Sequence, residues 1–304
     1  MTVLCVVNPT AGGSGKRLTE KVSVVLRERG TEILVRETTA RGDAERLARA
    51  AAAGDPELGA KIDVVAVAGG DGTINEVANG LLGTSVPMAI IPTGTANVLA
   101  NEIGLTGNPA QIAETILNGR ELDFYPGMMG DRCFVAMVGV GFDARTVAAI
   151  NLRQKARFGK GAYAIACFPA FFGPSPVTYR VEIDGDAFEA AWVVVAKTHF
   201  YAGRYVLAPG ANPGARNLRI FLLKDPTRLG LLRALIGIGL GRVAKLRDVS
   251  LVDGKSVKIT RLIRESAAAS APDPVQADGD AAGYLPVEVN IAPKSVKILT
   301  PLDA

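Results

Sequence analysis

The first half of the chain alternates short apolar runs with segments whose apolar residues recur at helical spacing. The runs occupy residues 2–7, 31–36, 62–68 and 88–91, and the helical patterns occupy residues 17–28, 43–53, 74–82 and 110–117. Short β-branched runs predict buried strands, whereas a 3.6-residue period predicts amphipathic helices. Because strands that alternate with helices form parallel sheets, this half is predicted to be an α/β domain.

The pattern changes near residue 125. From residue 132 onward apolar and polar residues alternate, as in residues 133–139, 178–183 and 188–195, and again in residues 287–291 and 295–299. Such alternation predicts antiparallel strands, and Asp184-Gly185-Asp186 predicts a hairpin between two of them. The prediction is therefore an α/β domain at residues 1–124 followed by a β-rich domain at residues 125–285.

The most informative turn is Gly69-Gly70-Asp71-Gly72-Thr73, between the third strand and the third helix. Its glycines are expected to adopt positive φ and to let backbone amides approach a ligand closely. Amides at the start of the next helix, with Thr73 as a cap, favour an anion such as phosphate. Asp71 would repel phosphate unless it binds Mg²⁺ or accepts a proton from an attacking hydroxyl. The turn predicts phosphoryl transfer.

Two more small-residue loops, residues 8–16 and 92–97, follow predicted strands of the same sheet. Parallel sheets bind ligands at the carboxyl ends of their strands, where these loops lie. Residues 8–16 do not form a P-loop, because Thr10 and Arg17 stand where that motif needs Gly and Ser or Thr. Taken alone, this loop is better explained as an ordinary glycine-rich turn than as a phosphate site.

Composition excludes several classes of protein. The chain has 304 residues, 48% of them hydrophobic, which can fill two cores. A net charge of +4 with 6% aromatic residues argues against a nucleic-acid partner. The scattered Cys5, Cys133 and Cys167 suggest neither a disulfide framework nor a metal site, which indicates a reducing cytoplasm. With His199 as the sole histidine, a hydrolytic triad is disfavoured.

The sequence predicts a soluble or peripheral protein, not a membrane-spanning one. Its longest apolar candidate, residues 229–240, is interrupted by Arg233 and is shorter than the ~20 residues that a span needs. Residues 151–175 and 229–243 combine basic and apolar side chains. Both segments suit an anionic lipid interface or a lid over acyl chains, and equally a solvated helix packed by its apolar side.

Five motifs occur in a characteristic order. They are Asn8-Pro9-Thr10-Ala11-Gly12, the turn at residues 69–73, Pro92-Thr93-Gly94-Thr95-Ala96-Asn97, Gly139-Val140-Gly141-Phe142-Asp143-Ala144 and Asp278-Gly279-Asp280. Together they resemble the diacylglycerol kinase catalytic-domain family, which includes soluble bacterial lipid kinases and the sphingosine and ceramide kinases. The resemblance implies a nucleotide-binding α/β domain of NAD kinase or phosphofructokinase type, a C-terminal β-sandwich, and a segment 286–304 that rejoins the first domain.

The resemblance also implies ATP and Mg²⁺ as cofactors, a membrane lipid as substrate and a peripheral cytoplasmic location. It assigns nucleotide contacts to Asn8, Pro9, Thr10, Gly12, Thr38, Gly69, Gly70, Asp71, Gly72, Thr73, Asn75, Glu76, Thr95 and Asn97. Asp71 is then the catalytic base or a Mg²⁺ ligand. Asp280, with Asp278 as neighbour, stands where the bacterial family has a glutamate as its base. The shorter side chain reduces the reach by about 1.3–1.5 Å, which can matter to catalysis.

Two departures from the family pattern weaken parts of this assignment. Val98 follows Asn97 where relatives often have an aspartate, and residues 208–217 contain no carboxylate. Because Mg²⁺ requires hard anionic oxygens, the structural Mg²⁺ site of many bacterial relatives is expected to be absent.

Three functions remain open on the sequence. The first is a lipid kinase acting on diacylglycerol or on a ceramide or sphingoid lipid, supported by all five motifs. The second is an NAD kinase-like enzyme, which shares the turn at residues 69–73 but acts on a soluble dinucleotide. The third is a nucleotide-binding regulatory protein with little catalysis. Exposed edge strands in the β-rich domain would permit a homodimer.

Overall fold

The computed structural model describes residues 1–10, 13–149, 177–262 and 272–302. The chain divides into two compact units. Unit 1 contains residues 1–126, 213–215 and 292–304, and unit 2 contains residues 127–212 and 216–291. The basic and aromatic segment at residues 151–175 lies outside the described residues, as do Gly12 and Cys167.

Unit 1 is built on one six-stranded sheet in the order β2-β1-β3-β4-β20-β5. Its strands are β1 (Thr2–Val7), β2 (Glu32–Glu37), β3 (Val64–Gly69), β4 (Met88–Pro92), β5 (Arg120–Phe124) and β20 (Val296–Thr300). Its helices are α1 (Gly13–Glu28), α2 (Asp43–Ala53), α3 (Asp71–Leu81), α4 (Val98–Glu102) and α5 (Pro109–Asn118). Neighbouring strands are parallel except for β5, which runs antiparallel to β20. Every residue of β3 is buried, as its continuous apolar sequence predicts.

Unit 2 is an antiparallel β-sandwich. One sheet has the order β10-β9-β16-β19-β6-β7 and the other β15-β14-β11-β8-β17-β18. The strands are β6 (Gly127–Met129), β7 (Arg132–Phe134), β8 (Met137–Val140), β9 (Tyr179–Ile183), β10 (Asp186–Ala190), β11 (Trp192–Ala196), β12 (Phe200–Tyr201), β13 (Tyr205–Val206), β14 (Leu218–Leu223), β15 (Val249–Gly254), β16 (Ser256–Arg261), β17 (Pro274–Ala277), β18 (Asp280–Tyr284) and β19 (Val287–Ile291). The helices among the described residues of this unit are α6 (Phe142–Ala149) and α7 (Arg228–Gly239).

The core of unit 2 is filled by valine and isoleucine side chains from both sheets, including Val181, Val193 and Ile259. Alternate residues of β9 and β16 are buried, because successive side chains of a strand point to opposite faces. The predicted fold class, a parallel α/β domain followed by a β-sandwich, is confirmed.

Three boundaries differ from the sequence prediction. The strand expected at residues 133–139 divides into β7 and β8, and the one expected at 188–195 divides into β10 and β11, because each changes sheet at its break. Unit 1 resumes at Ala292, not at residue 286, since β19 pairs with β16 and β6 of unit 2. Within the described ranges, no helix has the length and apolar character needed to cross a membrane.

Candidate active site

The glycine turn, residues 69–73, connects β3 to α3 at the carboxyl edge of the sheet. Helix α3 begins at Asp71, three residues earlier than its apolar period predicts, so Asp71 lies in the first helical turn. The expectation of positive φ is wrong, because the glycines of this turn are not among those with left-handed backbone. Glycine is needed here because there is no room for a side chain. A Cβ on Gly69 would lie 2.5 Å from the Cβ of Thr73, and in the neighbouring loop after β4 a Cβ on Gly94 would lie 2.4 Å from the Cα of Gly70.

Asp71 joins this turn to the loop that follows β4. Its Oδ1 accepts a hydrogen bond of 2.7 Å from the backbone amide of Val98, the first residue of α4. The residue is half-buried, and the adjacent Gly72 is exposed. A negative charge at a helix N-terminus is favoured by the helix dipole, and a carboxylate at this position is a suitable ligand for a hard cation.

Asn8 connects the loop after β1 to the same turn. Its Nδ2 donates a 3.0 Å hydrogen bond to Oγ1 of Thr73, and its Oδ1 accepts from the amide and the hydroxyl of Thr10 at 3.0 and 2.8 Å. Three loops at the carboxyl ends of β1, β3 and β4 are therefore linked by side-chain contacts, as the motifs predict. Thr10 and Pro9 are exposed beside Asn8.

Two buried oxygen atoms in the loop after β4 have no hydrogen-bond partner among the described residues, Oγ1 of Thr93 and Oδ1 of Asn97. Asn97 adopts left-handed backbone with φ of 49°, and its Nδ2 donates to the carbonyl of Gly94 at 2.8 Å. A buried oxygen without a partner costs roughly 1–3 kcal/mol, so a ligand that supplies donors or metal-bound water would be favoured here.

The loops after β1, β3 and β4 are chemically suited to bind a nucleotide together with Mg²⁺. No cluster of three or more histidine, cysteine or acidic side chains exists in the part of the chain that the structure describes. Mg²⁺ in phosphoryl-transfer sites is often held by one or two carboxylates together with substrate phosphates, an arrangement that Asp71 alone can join. Asp71 would hold the metal, and the amides of the glycine turn would hold the phosphates.

The other predicted nucleotide contacts have varied positions. The amide of Thr38 donates to the carbonyl of Val7 at 2.9 Å, which places Thr38 just beyond the carboxyl end of β2. Thr95 is exposed in the loop after β4. Glu76 accepts a hydrogen bond of 3.2 Å from the amide of Ala44 and so connects α3 to the start of α2. Asn75 accepts from Nδ2 of Asn79 one helical turn further along α3.

In unit 2, Asp278 and Gly279 form the tight turn between β17 and β18. Both residues have positive φ, 50° and 82°, as a type I′ hairpin requires. The Asp278 carboxylate accepts hydrogen bonds of 2.8–3.0 Å from three consecutive amides, Val135, Ala136 and Met137. These bonds occupy the amides at the break between β7 and β8. Asp280 is half-buried as the first residue of β18.

A buried residue whose role the sequence does not reveal supports this turn. Asp143 is 2% exposed and accepts hydrogen bonds from Nε1 of Trp192 at 3.0 Å and Nε2 of Gln276 at 2.9 Å. Oε1 of Gln276 in turn accepts from the amide of Gly279 at 2.9 Å. Gly139 has to be glycine, because a Cβ there would overlap Oδ2 of Asp143. The motif at residues 139–144, which on its own resembles a bulged turn, thus fixes the position of the 278–280 hairpin.

Asp143→Asn is expected to alter the pH dependence of stability. Burial raises the pKa of Asp143 from 3.8 to about 6. A raised carboxyl pKa contributes stability that is present below about pH 4 and lost as the pH rises through about 6. The stability difference between wild type and Asp143→Asn should therefore shift against the wild type by up to about 3 kcal/mol over this window. Urea unfolding at several pH values measures this difference, and a difference that is independent of pH would contradict the argument.

The segment at residues 208–217 contacts a buried lysine. Nζ of Lys197 donates to the carbonyls of Asn212 and Asn217, both at 3.0 Å. Lys197 is 1% exposed, and burial lowers its pKa to about 8. In this carboxylate-free loop, an ammonium group therefore interacts with backbone carbonyls.

An α/β unit with an acidic glycine turn at its sheet edge, followed by an antiparallel sandwich, defines the class of two-domain kinases to which NAD kinases and diacylglycerol kinases belong. The family model "Diacylglycerol kinase catalytic domain" matches residues 2–129. The model "YegS C-terminal NAD kinase beta sandwich-like domain" matches residues 136–300. The chain belongs to the diacylglycerol kinase family of lipid kinases.

Individual relatives agree with this assignment. A diacylglycerol kinase of Mycobacterium tuberculosis H37Rv is 29% identical over 98% of this chain and 95% of its own length. A Klebsiella pneumoniae protein named as a YegS-like lipid kinase is 32% identical over 69% of this chain and 71% of its own. The crystal structure of a diacylglycerol kinase from Bacillus anthracis str. Sterne, 22% identical, covers 99% of this chain and 98% of that one with a TM-score of 0.76, which shows the shared fold.

Proposed function

We propose that this protein transfers the γ-phosphoryl group of ATP to the hydroxyl of a diacylglycerol-type lipid. The main observation behind the proposal is the position of Asp71. It is half-buried at the start of α3, and its carboxylate accepts a hydrogen bond from the backbone amide of Val98 at the start of α4. The loop that ends at Val98, the hydrogen-bond partner of Asp71, contains the buried oxygens of Thr93 and Asn97, which have no partner among the described residues. Relatives named diacylglycerol kinase over nearly the whole chain support the lipid acceptor.

In this proposal the loops of unit 1 orient the triphosphate by backbone amides, which is the main requirement of phosphoryl transfer. Mg²⁺, when bound, supplies neutralisation of phosphate charge, with Asp71 as its protein ligand. A new bond forms between the lipid oxygen and the γ-phosphorus, the bond to the β-phosphate oxygen breaks, and ADP leaves. The hydroxyl proton passes to a carboxylate.

We assign the role of proton acceptor to Asp280. Asp278 is engaged by three backbone amides, so its carboxylate already serves the fold. Asp280 is half-buried beside it and stands at the position of the family's glutamate. We place the reaction at the cytoplasmic surface of a membrane, where ATP and a lipid substrate meet.

The test offers labelled ATP with diacylglycerol, ceramide, sphingosine, phosphatidylglycerol and NAD in parallel reactions. NAD is included because the β-sandwich of this chain matches a family model for NAD kinase-like sandwich domains. The expected product is labelled phosphatidic acid, formed only with Mg²⁺ present. Label in NAD alone would contradict the proposal, and label in none of the acceptors despite ATP binding would favour a regulatory nucleotide-binding protein.

A further inference from the structure

Helix α7 is apolar on two opposite sides. The side that faces unit 2 is buried through Gly230, Leu231, Ala234, Gly237 and Ile238. The opposite side leaves four large apolar side chains in solvent, with exposed fractions of 61% for Leu229, 43% for Leu232, 53% for Ile236 and 65% for Leu240, which follows the helix. A helix that is apolar on all sides is normally buried, so half of this helix lacks cover from the described chain.

The four exposed side chains form one stripe. At about 100° per residue, the spacing of Leu229, Leu232, Ile236 and Leu240 places them within an arc of about 80°. Among the described residues there are ten exposed large hydrophobic side chains, and these four account for the only run that shares a helix face. Scattered exposed apolar residues need no explanation, whereas a contiguous patch marks an interaction surface.

Basic residues surround this stripe. Residues 224–248 contain six basic and two acidic side chains, a net charge of +4 that equals the net charge of the whole chain. Both acidic residues, Asp225 and Asp248, form salt bridges with Arg233. The other five cations, Lys224, Arg228, Arg242, Lys245 and Arg247, are exposed.

We propose that α7 is the element through which this protein docks on an anionic phospholipid membrane. The apolar stripe enters the boundary between headgroups and acyl chains, and the surrounding cations contact lipid phosphates. The helix has 12 residues, about 18 Å, so it lies on the membrane and does not span it. A second copy is the less favourable occupant, because a two-fold interface would bring the same cationic patches together.

The inference builds on the proposed lipid substrate, but its test needs neither ATP nor diacylglycerol. Co-sedimentation with vesicles of phosphatidylglycerol and phosphatidylcholine measures binding directly. The variant Leu229→Gln/Leu232→Gln/Ile236→Gln is expected to bind vesicles at least about tenfold more weakly, because burial of apolar CH₂ groups at the membrane boundary drives binding. The variant Arg228→Gln/Arg242→Gln/Lys245→Gln should lose at least about tenfold in affinity for the vesicles, because each basic residue near an anionic surface strengthens binding.

Matched controls remove similar groups elsewhere. Val24→Gln/Val35→Gln replaces exposed apolar residues of unit 1, and Lys21→Gln/Lys61→Gln/Lys255→Gln removes three exposed cations. Both controls should bind vesicles like the wild type, and circular dichroism and thermal melting establish that every variant is folded.

Wild-type binding should weaken with added salt and on vesicles of phosphatidylcholine alone. Equal vesicle binding by wild type and both α7 variants would overturn the docking proposal. So would a dimer, seen by light scattering, that only the apolar α7 variant dissociates while vesicle binding persists. Vesicle binding without phosphoryl transfer to any lipid would refute the proposed function and leave the docking surface in place.

Discussion

Asp71→Asn is expected to lower the rate of phosphoryl transfer by about a thousandfold or more while leaving the fold intact. The amide oxygen of asparagine can still accept the hydrogen bond from the Val98 amide, so the link between the two loops persists. What is lost is the negative charge, which the proposed mechanism requires to hold Mg²⁺. Initial rates at saturating ATP and lipid, together with the thermal melting temperature, measure both parts of the expectation.

Asp55→Asn provides a matched control for this substitution. Its Oδ1 also accepts a backbone hydrogen bond, from Glu57 at 2.9 Å, at the start of the short helix Pro56–Leu58. This variant should retain wild-type turnover. If Asp71→Asn also retained turnover, the role assigned to the Asp71 carboxylate would be wrong.

The second large effect separates Asp280 from its neighbour. Asp280→Asn is expected to reduce kcat by about a hundredfold or more, with little change in the KM for ATP, because the proton acceptor is removed while the nucleotide-binding loops of unit 1 are unchanged. Asp280→Glu, which retains a carboxylate, should keep measurable turnover. Steady-state kinetics on a short-chain diacylglycerol, with ATP varied, gives the required separation of kcat from KM.

Asp278→Asn should behave differently. One of its two acceptor oxygens becomes an NH₂ group facing backbone donors near residues 135–137, which is expected to cost about 1–3 kcal/mol of stability. Denaturant unfolding measures this loss.

Two outcomes would contradict these assignments. If Asp280→Asn remained fully active, Asp280 would not be the base, and Asp71 would be the remaining candidate. A fully stable Asp278→Asn variant would show that its three hydrogen bonds do not hold the hairpin.

The order of the first four strands of unit 1 and of the helices α1, α2, α3 and α5 was predictable because each shows its own periodicity. The short helix α4 and strand β5 were not predicted. The glycine turn was predictable as a junction between a strand and a helix, since a buried strand, glycines and a helix start follow one another directly. The close approach between this turn and the loop after β4 was not predictable, because the Cα that excludes a Cβ at Gly94 belongs to Gly70, which is distant in sequence. Local sequence does not indicate which loops approach each other.

The errors in unit 2 have a similar origin. Nothing in residues 133–139 indicates a break, since the partner of these amides is Asp278, 143 residues after Val135. The support that Asp143 gives to the hairpin likewise passes through Trp192 and Gln276, which no local pattern connects to it. Long-range hydrogen bonds therefore determine the break between β7 and β8 and the position of the 278–280 hairpin, which the periodicity of the sequence does not reveal.

The most direct test of the central claim is to observe where the metal–nucleotide complex binds. Mn²⁺·ATP, in which a paramagnetic ion replaces Mg²⁺, can be titrated into isotope-labelled protein while backbone amide signals are recorded by NMR. We expect selective broadening of the amides of residues 69–73 and 93–98, and loss of this broadening in Asp71→Asn. Broadening confined to other parts of the chain, with these two loops unaffected, would contradict it.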